Sequence, residues 1–97
     1  MSGKGRVLVM DDEEIVRKTA QEMLTHIGYQ VELAKDGAEA VTFFQENKKK
    51  GNPFDVVIMD LTVPGGMGGK ETMRELLKLD REVKAIVSSG YSNDQTM

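Results

Sequence analysis

Phe54-Asp55-Val56-Val57-Ile58-Met59 is an almost unbroken apolar run, and it closes on Asp60, which opens the loop Leu61-Thr62-Val63-Pro64-Gly65-Gly66. Near the N-terminus Arg6-Val7-Leu8-Val9-Met10 also ends in acid, at Asp11-Asp12-Glu13-Glu14. A third run, Val83-Lys84-Ala85-Ile86-Val87, ends in Ser88-Ser89-Gly90. Short continuous apolar runs are how central parallel strands read, because helices cover both of their faces. Strands that each release polar residues at the carboxyl end describe one rim of a parallel sheet, which is where open α/β folds bind ligands.

The segments between these runs fit the same scheme. Tyr29-Gln30-Val31-Glu32-Leu33 alternates apolar and polar residues, as an edge strand should. Val16, Ala20, Met23, Leu24 and Ile27 fall at helical spacing over a helix of about 14 residues, and Gly28 stops it. A second helix is expected from about Ala38 to Lys49, burying Ala40, Val41 and Phe44. A third is expected from about Lys70 to Leu79, with Met73, Leu76 and Leu77 inward. The order β-α-β-α-β-α-β requires a parallel sheet with right-handed crossovers. Ser92-Asn93-Asp94 looks like a helix N-cap, yet the sequence stops at Met97. The 83–87 strand is therefore expected to be an unprotected edge, open to a homodimer or a segment-swapped dimer.

A chain of 97 residues has room for one core, so residues 1–97 are expected to form one domain. Net charge is −3 and no Lys/Arg stripe appears, so no nucleic-acid partner is implied. Lys48-Lys49-Lys50 reads as a solvated helix end placed favourably on the dipole. The absence of cysteine removes disulfides, thiolate metal sites and a cysteine nucleophile. A single histidine, His26, leaves no multi-histidine metal site, and it reads as a helix-end residue rather than a phosphate carrier. No apolar stretch approaches the roughly 18 residues of a membrane span, so no membrane role and a cytoplasmic location are expected.

The acids at 11–14 alone could be helix-capping residues, and Asp60 alone a turn residue. Together they mean more. In a sheet ordered 2-1-3-4 the strands ending at Met10 and Met59 are neighbours, and two or three carboxylates then crowd one margin. Each like-charge pair at about 4 Å costs roughly 4 kcal/mol at an effective dielectric near 20. A hard divalent cation removes that penalty, and all-oxygen ligands without His or Cys point to Mg²⁺. A carboxylate beside Mg²⁺, with donors at Ser89 and Gly90 opposite, is arranged to attack a phosphoryl group. Phosphorylated Asp60 would carry new acceptor oxygens that Ser89 could hydrogen-bond. The glycines of Gly65-Gly66-Met67-Gly68-Gly69-Lys70 do not form a nucleotide-binding loop. Pro64 stands where that motif needs its first Gly, and Glu71 stands where it needs Ser or Thr.

These motifs resemble the receiver domain of two-component response regulators, the chemotaxis-type flavodoxin-like module, along the whole chain. Val7-Leu8-Val9-Met10-Asp11-Asp12-Glu13-Glu14 is similar to the family's acid pocket, Asp60-Leu61-Thr62-Val63-Pro64 to its phosphoacceptor loop, and Ile86-Val87-Ser88-Ser89-Gly90 to its switch strand. The resemblance implies a flavodoxin-like doubly wound α/β sheet. It implies Asp60 as phosphoacceptor, Asp12 as a direct Mg²⁺ ligand, Asp11 as a ligand through water, the Thr62 backbone carbonyl completing the metal site, and Ser89 as switch hydroxyl. Thr62 and Tyr91 fall where the family tunes dephosphorylation. The implied partner is a histidine kinase or phosphotransfer protein, and phosphorylation switches the domain's interactions. The domain is then a signalling module that assists its own phosphorylation and dephosphorylation, not an enzyme in its own right. Two departures stand out. The loop Pro64–Gly69 is one residue longer than the common pattern, as in receivers attached to hybrid sensor kinases. The family's fifth strand, with its Lys and aromatic switch residue, is absent from these residues, so the receiver is expected to be incomplete at its C-terminal end. The alternatives are a phosphatase working through an aspartyl phosphate, which would want an acid where Thr62 stands, and an interaction fragment that cannot be phosphorylated.

Overall fold

The computed structural model describes residues 5–60 and 69–88, with Asp60 and Ser88 by their backbone alone. In chain order the elements are β1 (Gly5–Met10), α1 (Glu14–His26), β2 (Tyr29–Ala34), α2 (Gly37–Lys49), β3 (Val56–Asp60), α3 (Gly69–Leu79) and β4 (Ala85–Ser88). The strands form one four-stranded parallel sheet in the order β2-β1-β3-β4. The chain moves outward from β1 to β2, then returns past β1 to β3 and on to β4. Right-handed crossovers place helices of opposite travel on opposite faces, so α1 covers one face and α2 and α3 the other. This is the flavodoxin-like doubly wound sheet.

Side-chain alternation divides the core between the two faces. Leu8 and Met10 of β1 and Val57 and Met59 of β3 join Ala34, Ala40, Phe44, Phe54 and Leu76 in one buried cluster on the α2–α3 side. Val7 and Val9 are buried on the other side. There α1 lies against β1 and β2, but none of its residues is fully buried. Met23 is 64% exposed and Ile27 54%, although both fall on the apolar stripe read from the sequence. Among the described residues α1 is the one helix on that face, so the stripe is wider than the strand surface beneath it.

Two strands are shorter than their apolar runs. β3 begins at Val56 because Phe54 serves the core as a plug below the sheet. Its ring stacks on Phe44 with centroids 6.4 Å apart, and the Arg6 guanidinium sits 4.6 Å from the ring centre on its face. Arg6 also donates to Asn47 Oδ1 and to the Asn52 carbonyl. β4 begins at Ala85 because Val83 belongs to the turn after α3, where its N–H bonds to the Asp80 carbonyl at 3.2 Å. Ile86 and Val87 are 57% and 45% exposed, and among the described residues β4 is an outer strand of the sheet. β2, at the other edge, keeps the expected alternation, with Gln30 and Glu32 exposed between half-buried neighbours.

Local chemistry fixes the remaining joints. Gly5 has φ +130°, and a Cβ there would meet Asp55 Oδ2 at 2.5 Å, the same oxygen that accepts the Arg6 N–H at 2.8 Å. Asp36 caps α2 by accepting the Glu39 N–H at 2.9 Å, and Glu39 Oε1 accepts the Lys35 N–H at 2.9 Å. Phe44→Ala should destabilise the fold by about 3–5 kcal/mol in urea denaturation, since it removes a fully buried ring and its stacking on Phe54. A loss under about 1 kcal/mol would show that the cluster can collapse around the gap.

Candidate functional site

The sheet ends where its order reverses. β1 and β3 are direct neighbours, and their last matched pair is Met10 opposite Met59. Asp11, directly after β1, and Asp60, the last residue of β3, therefore stand at the same level on chains about 4.8 Å apart. On its other side Asp60 pairs with Ser88 of β4. The phosphoacceptor read from the sequence thus lies between an acid-bearing strand end and a hydroxyl-bearing one. Asp12 follows at once and is exposed, whereas Asp11 is half-buried.

The loop that carries these acids is held at several points. Asp11 N–H continues the ladder to β2, bonding the Ala34 carbonyl at 3.0 Å. Asp11 Oδ1 accepts the Glu13 N–H at 3.0 Å, while no side chain caps α1 from the Glu13 position. The Asp11 carbonyl accepts from the Arg17 guanidinium at 2.8 Å. Below, Thr72 of α3 is wholly buried with its hydroxyl 4.0 Å from Met10 Sδ, which seats α3 under the last residue of β1.

Arg17 is the site-adjacent residue that sequence reading missed. A signal for it existed. A basic side chain in the first turn of a helix opposes the positive end of the dipole, so Arg17 needs a local acceptor to account for it. Thr62, Ser89 and Tyr91 lie outside the described residues, as does the loop 61–68.

The donor set suits a hard cation. Asp11 and Asp12 offer oxygen alone, and His26 stands at the far end of α1, roughly 18 Å along the helix at 1.5 Å per residue. Among the described residues no set of three or more His, Cys, Asp or Glu side chains is placed to hold a metal ion. Two consecutive acids directly after β1 need an oxygen from the neighbouring strand to complete a site. Asp11→Asn keeps the Oδ1 acceptor for Glu13 but removes one charge from this margin. It should raise metal-free stability by about 1 kcal/mol in denaturant at low salt. A loss of stability would show that the charge is favourable where it stands.

Comparison with known proteins places this arrangement in context. The response regulator receiver domain profile matches residues 7–97. The chain is 36% identical over 94 residues to sensor kinase CckA of Brucella abortus, covering 97% of this chain and 10% of that protein. It is 38% identical over 86 residues to chemotaxis protein CheY of Thermotoga maritima, covering 88% of this chain and 67% of that protein. Among solved structures, a receiver domain protein from Clostridium thermocellum superposes with a TM-score of 0.78 at 30% identity, over 87% of this chain and 64% of that one. A chain in the complex of histidine kinase ThkA with response regulator TrrA gives a TM-score of 0.78 at 32% identity, over 97% of this chain and 76% of that one. Among the described residues no helix is long and apolar enough to cross a membrane.

Proposed function

The chain belongs to the response regulator receiver family of two-component systems, and from that premise we propose that Asp60 accepts a phosphoryl group from a phosphohistidine. The observation that carries this reading is the place of Asp60 on the middle strand of three at the reversal point, level with Asp11 on one side and Ser88 on the other. An Asp60 carboxylate oxygen attacks phosphorus, the new P–O bond forms as the P–N bond to imidazole breaks, and the imidazole leaves with the electron pair. Asp11, Asp12, Asp60 and the Thr62 carbonyl would hold Mg²⁺, which when bound offsets carboxylate repulsion and the charge on the transferring oxygens. Ser89 would donate to the phosphoryl oxygens, and Thr62 and Tyr91 would set how easily water reaches them.

A histidine kinase or phosphotransfer protein must cover this margin to bring its imidazole to Asp60. Ile15, 74% exposed, and Val16, 40% exposed, begin α1 directly after the acids and offer apolar surface at that margin. Such residues contribute binding energy when a partner removes them from water.

Acetyl phosphate with Mg²⁺ should add one phosphoryl mass to the protein, and neither Asp60→Asn protein nor a chelator-treated sample should gain it. No mass shift in wild type would reject the phosphoacceptor reading, and steady phosphate release from a small phosphomonoester would favour a phosphatase. Ile15→Lys should slow transfer from a phosphorylated histidine donor protein by roughly tenfold while labelling by acetyl phosphate is unchanged. Equal slowing of both reactions would place Ile15 in the chemistry instead of the docking surface.

A further inference from the structure

We propose that Arg17 is a positioning residue for the acidic margin. It orients the peptide between Asp11 and Asp12 and so aims both carboxylates at the cation. This rests on the Mg²⁺ site set out above. Asp11 is where the chain turns from strand to helix, and its two main-chain groups are held by different elements. Its N–H is tied to β2 through the Ala34 carbonyl at 3.0 Å, and its carbonyl to α1 through the Arg17 guanidinium at 2.8 Å. Arg17 is itself anchored, because its own N–H bonds the Glu13 carbonyl at 3.0 Å in the first turn of α1. The Asp11 carbonyl and the Asp12 N–H share one rigid peptide plane. Fixing that carbonyl therefore fixes where the Asp12 Cα sits and leaves its carboxylate fewer torsions over which to wander.

Two effects of the guanidinium oppose one another. As a charge beside acids it competes with a metal ion, so its removal would tighten Mg²⁺ binding. As a clamp it preorganises the ligands, and supports of this kind typically matter by 10–100-fold in metal affinity. Arg17 is half-buried and spends a directed hydrogen bond on a carbonyl, not on a carboxylate, so the clamp outweighs the charge.

Isothermal titration of metal-free protein with MgCl₂ alone separates these effects. Arg17→Gln keeps good helix propensity but cannot reach the carbonyl, and it should bind Mg²⁺ about tenfold more weakly than wild type. Arg17→Lys retains a donor on a long side chain and should fall between the two. Far-UV circular dichroism and denaturation without metal report on folding separately. Unchanged or tighter Mg²⁺ binding by folded Arg17→Gln protein overturns the assignment, even where metal-free stability falls. So does Arg17→Lys binding no better than Arg17→Gln. Wild type that binds no Mg²⁺ overturns the metal site itself, and the role of Arg17 with it.

Discussion

The register between β1 and β3 is the constraint on which the rest depends. Because Met10 lies opposite Met59, the next step along both strands brings Asp11 level with Asp60. A shift of one residue would turn every side chain of a strand to the opposite face of the sheet. Leu8 and Met10 of β1, or Val57 and Met59 of β3, all essentially unexposed, would then leave the α2–α3 cluster, according to which strand slips. Burying either pair is worth about 3–6 kcal/mol, enough to offset a repulsion of roughly 4 kcal/mol between neighbouring carboxylates. The hydrophobic core thus holds acids together that would separate if left to themselves.

That division of labour is visible across the molecule. The side of the sheet under α2 and α3 is closed by Phe44, Phe54 and Leu76, and its far margin is pinned by Arg6, which reaches the last turns of α2 at Asn47 and the loop after it at Asn52. The side under α1 is looser, with Ile15, Val16, Met23 and Ile27 turned substantially to solvent. The tightly packed core lies on the α2–α3 face, and the helix that starts at the acids carries exposed apolar surface on the other.

Much of this was legible in the residues. Continuous apolar runs at 6–10 and 56–59 reflect strands flanked on both sides, and alternation in Tyr29–Leu33 marks an edge; both are read directly from burial periodicity. The pairing of acids at two strand ends followed once the strand order was assumed. Periodicity could not distinguish pairing from plugging: Phe54 and Val83 are apolar because they pack on the core, although neither joins a ladder. Nor could it foresee that the stripe on α1 would exceed the strand surface available to it. The Asp36–Glu39 cap was a readable pattern, and the Arg17 clamp was flagged only by a cation at the wrong end of a helix dipole.

The gathering of Asp11, Asp12 and Asp60 around one cation is open to a direct physical measurement. Mn²⁺, another hard divalent ion that favours oxygen ligands, broadens the NMR signals of nuclei close to where it binds. Titrated at low levels, it should first erase the backbone amide signals of residues 10–13 and 59–60, leaving those of Gly51 and Asp55 at the opposite margin sharp. Broadening centred elsewhere, or confined to one of the two strands, would contradict the shared site.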